Sequence, residues 1–165
     1  MEKIKALFLD RDGVINYDPG YVYRIEDFEF MPGIFEALAG FMALGYEIFV
    51  VTNQSGIGRG YYSEDDFAKL SKYMIDEFKS YGVEIKKIYH CPHTPSDDCN
   101  CRKPKPGMIL QALNEHNIDP QASLIIGDKP SDLESARRAG VENGYLIGDE
   151  FKSVLEVLEY IKGQK

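Results

Sequence analysis

Ala6-Leu7-Phe8-Leu9-Asp10-Arg11-Asp12-Gly13 sets two carboxylates two residues apart at the end of a continuous apolar run. A short apolar run closed by a polar turn reads as a buried strand, and the ligands of open α/β sheets collect just beyond the carboxyl ends of such strands. Asp10 is therefore placed where a substrate reaches it, Asp12 projects from the same turn, and Gly13 lets the backbone fold tightly around a bound group. The pair reads as a phosphoryl-transfer nucleophile with a second carboxylate beside it. The plainer alternative is an acidic turn after a strand, since Asp is a common turn residue.

Outward from this stretch, apolar segments alternate with amphipathic ones, the pattern of a parallel sheet flanked by helices. The strands are expected at 4–9, 46–51, 85–89, 124–126 and 145–147. Ser63-Glu64-Asp65-Asp66 opens a helix with a cap and an acidic first turn, and Phe67, Leu70, Met74, Ile75 and Phe78 follow at helical spacing as a core stripe. Pro106-Gly107 precedes a second helix, Ser131 is expected to cap a third that runs to Arg138 before Gly140, and a last helix is expected over 151–161. The whole predicts one doubly wound α/β domain over residues 1–165, Rossmann-like, with helices on both faces. Two connections, 13–32 and 90–106, exceed the usual length, and long ordered loops usually carry function. Neither is large enough for a separate cap domain.

Three polar clusters close three of the predicted strands: Asp10 with Asp12, then Thr52-Asn53-Gln54-Ser55, then Gly127-Asp128-Lys129-Pro130-Ser131-Asp132. Parallel strands bring all three to one edge of the sheet, where carboxylates distant in sequence converge on a divalent cation. Oxygen donors of this kind suit Mg²⁺, which neutralises phosphate charge that would repel Asp10. Taken singly, Thr52 and Asn53 are a cap or turn, Lys103 and Lys105 are solvated charge, and Asp132 is the acid of a helix first turn. His116 reads as an exposed helix residue.

All three cysteines fall in the 90–106 loop. Cys91-Pro92-His93, five residues, then Cys99-Asn100-Cys101 gives two close pairs of soft donors, the spacing of a structural zinc site with Cys91, His93, Cys99 and Cys101 as ligands. Reduced thiols or a disulfide are the alternatives, the disulfide weakened by the odd count. His90 is adjacent but lacks the pairing with Cys91 that His93 has. The loop ends directly before Arg102-Lys103, so pinning it fixes where two cations enter the site.

At 165 residues, with 44% hydrophobic and 28% charged residues, the chain is long enough for a sizeable core. The net charge of -8 argues against nucleic acid as a partner, since phosphate backbones need a basic face. No apolar run is long enough to span a bilayer, and no membrane partner is expected. Met1-Glu2-Lys3-Ile4-Lys5 enters the first strand without the features of a signal peptide, so the expected location is cytoplasmic, and a monomer is the default.

These residues resemble the haloacid dehalogenase superfamily of phosphotransferases across essentially the whole chain. Asp10-Arg11-Asp12-Gly13 corresponds to its first motif, Thr52 to the second, Lys103 to the third and Asp128 to the fourth. The resemblance implies that Asp10 attacks phosphorus, that Asp12 serves as acid and then base, and that Thr52 and Lys103 hold the transferred phosphoryl oxygens. It also implies Mg²⁺ held by the carboxylates of Asp10 and Asp128 and by the main-chain carbonyl of Asp12. The cysteine loop, Gly20-Tyr21-Val22 and Asn53-Gln54-Ser55-Gly56-Ile57-Gly58-Arg59-Gly60 look like the branch of heptose bisphosphate phosphatases, with histidinol-phosphate phosphatases as the alternative. That branch implies a sugar bisphosphate substrate, in nucleotide-activated heptose synthesis. Its contacts would come from Asp18, Pro19, Gly20, Tyr21, Thr52, Asn53, Gln54, Ser55, Arg59, Arg102, Lys103 and Lys129, with Arg102 suited to the non-reacting phosphate. A phospho-accepting receiver domain is the reading from another class, but its acceptor Asp generally lies on a later strand.

Overall fold

The computed structural model describes residues 2–148 and 150–164; residues 1, 149 and 165 of the expected domain lie outside the described residues. Five strands, β1 (Lys5–Leu9), β2 (Tyr46–Asn53), β3 (Ile85–Cys91), β4 (Leu124–Gly127) and β5 (Asn143–Leu146), form one sheet in the order β3-β2-β1-β4-β5. All four neighbouring pairs are parallel. β1 is central and buried on both faces: Leu7 and Leu9 enter one apolar core while Ala6 and Phe8 enter the other. This alternation of a wholly apolar strand is what a sheet covered by helices on both sides requires.

Three helices, α1 (Ile34–Ala43), α3 (Glu64–Ser80) and α6 (Val154–Lys162), supply one core with Ile34, Leu38, Phe41, Leu70, Met74, Phe78, Val157 and Leu158. On the opposite face, α4 (Gly107–Glu115) and α5 (Pro130–Arg138) supply Met108, Ile109, Ala112 and Ala136. A single short turn of helix, α2 (Ser55–Gly58), follows β2. The Ser63 cap forms as expected, its hydroxyl accepting from the Asp66 amide at 3.1 Å while the Asp66 carboxylate accepts from the Ser63 amide at 2.9 Å. The stripe from Phe67 to Phe78 is core.

Several expectations are corrected. Ile4 lies outside β1 and bridges Ile118, and the ends of β2, β3 and β4 run one or two residues further than expected. β5 begins at Asn143, where Gly144 leaves room for the Leu133 side chain of α5 to press against the strand; Ile147 instead bridges Phe151. The cap of α5 is Lys129, not Ser131, since Pro130 fits the first helical position, and Asp132 completes the turn by accepting from the Asp128 and Lys129 amides at 3.1 Å each. Ser153, not Phe151, starts α6, where Phe151 packs into the core. His116 is half-buried just past α4, its ring edge-on to Phe49 at 5.0 Å. The 13–32 connection folds back as a packed loop, with Val14, Ile15, Val22 and Phe28 buried.

Candidate active site

The order of the strands reverses direction between β1 and β4, and at such a switch the connections leave to opposite faces and open a crevice. Asp10 follows β1, Asp128 follows β4, and Thr52 lies near the end of β2, so the three strand ends meet at this crevice. A cavity of about 380 Å³ lies over them. It is lined by Asp10, Asp12, Asp18, Gly20, Tyr21, Asn53, Gln54, Ser55, Arg102, Lys103 and Lys129, all named from the sequence, and by Tyr62, Ser131 and Asp132, which were not assigned to the substrate. Pro19, Thr52 and Arg59 do not line it. Thr52 is fully buried beneath it, and Arg59 is exposed with its guanidinium on the Ser55 hydroxyl at 3.3 Å.

Charge is concentrated on the floor. Lys103 is buried, with its ammonium 3.2 Å from Asp10 Oδ1 and 2.5 Å from Asp132 Oδ1. Burial alone would lower the Lys103 pKa, but Asp10 and Asp132 more than reverse this, and Lys103 is held above its ordinary value. Burial pushes Asp10 up to about 7, with Lys103 opposing and Asp132, Asp12 and Asp128 reinforcing the rise. Asp128 is likewise raised, first by burial and then by Asp132. Crowded carboxylates that disfavour their own ionised form are what a divalent cation would relieve.

The donor set fits such an ion. Carboxylate oxygens of Asp10, Asp128 and Asp132 lie within 4.8 Å of one another. Asp132 is already committed to Lys103 and two backbone amides, whereas the buried Oδ1 of Asp128 has no hydrogen-bond partner among the described residues. Gly13 is at φ 88°, and a Cβ there would fall on the Asp128 carboxylate, so only glycine admits this arrangement. Asp132 is therefore both the first-turn acid expected of it and the second anchor of Lys103.

Around Asp12 is a network with little trace in the residue pattern. Its carboxylate accepts from Arg11, Asn16 and Gln54, the last at 3.0 Å. The Gln54 amide also donates to Thr52 Oγ1 at 2.9 Å, and Tyr62 donates its hydroxyl to Gln54 Oε1. Burial pushes the Tyr62 phenol up to about 12, which keeps it a donor. Gln54, assigned to the substrate, is 2% exposed and holds Asp12 and Thr52 in place. Asn53 Oδ1 accepts from the Lys103 amide at 3.1 Å, joining the end of β2 to the basic turn.

The Cys91, Cys99 and Cys101 sulfurs lie within 4.8 Å of one another. Burial raises both Cys91 and Cys101, while backbone amides of Arg102 and Cys101 outweigh burial at Cys99 and hold it low. His93 is exposed and its ring is not within the cluster; His90 instead stacks on Phe67 and pairs with Glu64 at 2.8 Å. The loop is joined to the β2–α2 turn by Gln54 N to Cys91 O (2.7 Å) and Gly58 N to Pro92 O (2.9 Å), and is braced internally by Lys105 Nζ to Cys99 O (2.5 Å).

Residues 69–144 match the haloacid dehalogenase-like hydrolase family. The chain is 50% identical over 169 aligned residues, 97% of each chain, to a protein of Campylobacter jejuni named D-glycero-alpha-D-manno-heptose-1,7-bisphosphate 7-phosphatase. It is 51% identical, over 89% of this chain and 86% of the other, to a Helicobacter pylori protein with the corresponding name for the beta anomer. The crystal structure of D,D-heptose 1,7-bisphosphate phosphatase from B. bronchiseptica, complexed with magnesium and phosphate, superposes with a TM-score of 0.88 at 27% identity, covering 98% of this chain and all of that one.

Proposed function

Because the chain belongs to the heptose-1,7-bisphosphate 7-phosphatases, within the haloacid dehalogenase-like hydrolases, we propose that it removes the 7-phosphate of D-glycero-D-manno-heptose 1,7-bisphosphate. The observation that carries the chemistry is Asp10 at the end of the central strand, 3.2 Å from a buried lysine and beneath the cavity. The carboxylates of Asp10 and Asp128 and the carbonyl of Asp12 would hold Mg²⁺, which supplies charge neutralisation to the phosphate. An oxygen of Asp10 forms a bond to phosphorus as the phosphorus–sugar oxygen bond breaks, and the leaving oxygen takes the proton of Asp12. Asp12 then accepts a proton from water as that water displaces Asp10. Lys103 orients the phosphoryl oxygens, a contribution of the positioning kind that dominates phosphoryl transfer, and Thr52, buried beneath the cavity, supports the Gln54 amide that holds Asp12.

Asp18, Gly20, Tyr21, Asn53, Ser55, Arg102 and Lys129 are the proposed substrate contacts. Arg102 carries a buried Nη1 without a hydrogen-bond partner among the described residues, a donor at the cavity suited to the distant 1-phosphate. Phosphate release with Mg²⁺, compared by kcat/KM for both anomers of the heptose bisphosphate and for histidinol phosphate, tests the reading. A heptose bisphosphate is expected to be preferred, and Arg102→Ala should lower kcat/KM on it by about 10²-fold while costing a monophosphate far less. Preference for histidinol phosphate would overturn the substrate, and equal losses on both esters would overturn the role of Arg102.

The three thiols are proposed to hold Zn²⁺, with His93, two residues from Cys91, as the fourth ligand. Zinc there would be structural, since the loop it closes delivers Arg102 and Lys103. Elemental analysis should find about one zinc per chain. A Cys99→Ser variant purified without it should lose kcat on the order of 10²-fold even with Mg²⁺ in excess, through displacement of Lys103. A fully active, zinc-free chain would refute this role.

A further inference from the structure

The mechanism leaves one large buried charge unused: Arg11, between the two aspartates, is 2% exposed and among the largest fully buried side chains. We propose that Arg11 is the positioning residue of the Asp12 carboxylate, fixing it against the loop that carries Tyr21. The inference rests on Asp12 being the acid and base.

Burying a guanidinium costs several kcal/mol unless its donors are used, and three of the five N–H groups of Arg11 are used here. Arg11 Nε donates to Asp12 Oδ1 at 3.0 Å and Nη2 to Asp12 Oδ2 at 3.1 Å, a fork on both oxygens. The same Nη2 donates to the Val22 carbonyl at 2.9 Å. The rings of Phe28 and Phe67 lie 5.7 and 5.8 Å from the guanidinium carbon, which adds cation–π attraction and leaves it little room to swing. A fork restrains rotation of the carboxylate in a way that one ammonium cannot. Because Val22 follows Tyr21, which is at φ 51° and lines the cavity, the fork also refers the position of Asp12 to the wall of the substrate pocket.

Arg11→Lys keeps the buried charge and loses the fork. The test is the first-turnover rate on two substrates: heptose 1,7-bisphosphate, whose alkoxide leaving group needs a proton, and 2,4-dinitrophenyl phosphate, whose phenolate does not. Arg11→Lys should slow release of the sugar by about 10²-fold and of dinitrophenolate by no more than about threefold, with KM for the sugar unchanged. Equal slowing of both, or a rise in KM alone, would show a merely structural or binding role. Asp12→Asn is the control: if it lacks the leaving-group dependence, the reading of Asp12 itself fails, whereas if only Arg11→Lys lacks it, the inference alone fails. The unmodified chain gives an independent measurement. The Arg11 Nε–H signal should exchange slowly with solvent and shift in Asp12→Asn, and a freely exchanging signal would overturn the proposal even if Arg11→Lys did not fold.

Discussion

Asp10→Asn is expected to lower kcat on any phosphate ester by on the order of 10⁴-fold or more while the fold is retained, because it removes the proposed nucleophile and leaves the rest of the site in place. Lys103 keeps its 2.5 Å partner Asp132 when Asp10 is neutralised, so no buried charge is stranded. Without metal, the variant should be more stable than the parent. Burial holds Asp10 at about 7 in the folded chain against an ordinary value of 3.8, so the native state binds its proton more tightly than the unfolded state does. A carboxyl shifted in this direction costs nothing below its unfolded pKa and its full penalty above its folded one. The melting temperature of Asp10→Asn in chelator should therefore exceed that of the parent at alkaline pH, and the gain should vanish as pH falls from about 7 to about 4. Excess Mg²⁺ should narrow the gap by stabilising the parent, in which Asp10 is a proposed ligand of the ion, more than the variant. Turnover of the variant near the parent rate would refute Asp10 as nucleophile, and a less stable metal-free variant at alkaline pH would refute the account of its burial.

Lys103→Met should have the second largest effect, and on both activity and stability. Removing the ammonium leaves Asp10 and Asp132 facing each other in a buried site, and breaking a buried pair in this way costs about 3–5 kcal/mol. Denaturant unfolding at neutral pH should show that loss as a lower midpoint. Activity should fall by on the order of 10²–10³-fold, the usual cost of one charge-stabilising donor at a reacting centre. An unchanged midpoint would mean that the acids discharge in another way.

Much of this site is legible from its strands. A wholly apolar run before Asp10 specifies a central strand, and three polar strand ends in a parallel sheet specify one crevice, so Asp10, Asp12, Thr52 and Asp128 follow from pattern and topology alone. Lys103 required the resemblance to the superfamily, because Lys103 and Lys105 look alike as surface charge in the sequence. In the fold Lys103 is 5% exposed, whereas Lys105 reaches Cys99 O at the partly buried edge of the loop. Arg11 and Tyr62 escaped for a similar reason: an arginine among acids reads as a solvated neighbour, and a tyrosine before a cap reads as loop. Asp132 was visible as a first-turn acid but not as the lysine's anchor, since that contact crosses 29 residues of chain.

Local period, turn chemistry and spacing, which any window of the chain contains, are enough for the doubly wound sheet, the edge that gathers its polar strand ends and the cysteine loop. Which charges leave water is settled by packing across the whole fold. Packing β1, β2, β4 and the 13–32 loop together buries Arg11 against Asp12 and Lys103 against Asp10 and Asp132, and burial multiplies the strength of each pairing while forbidding any of them to stand alone.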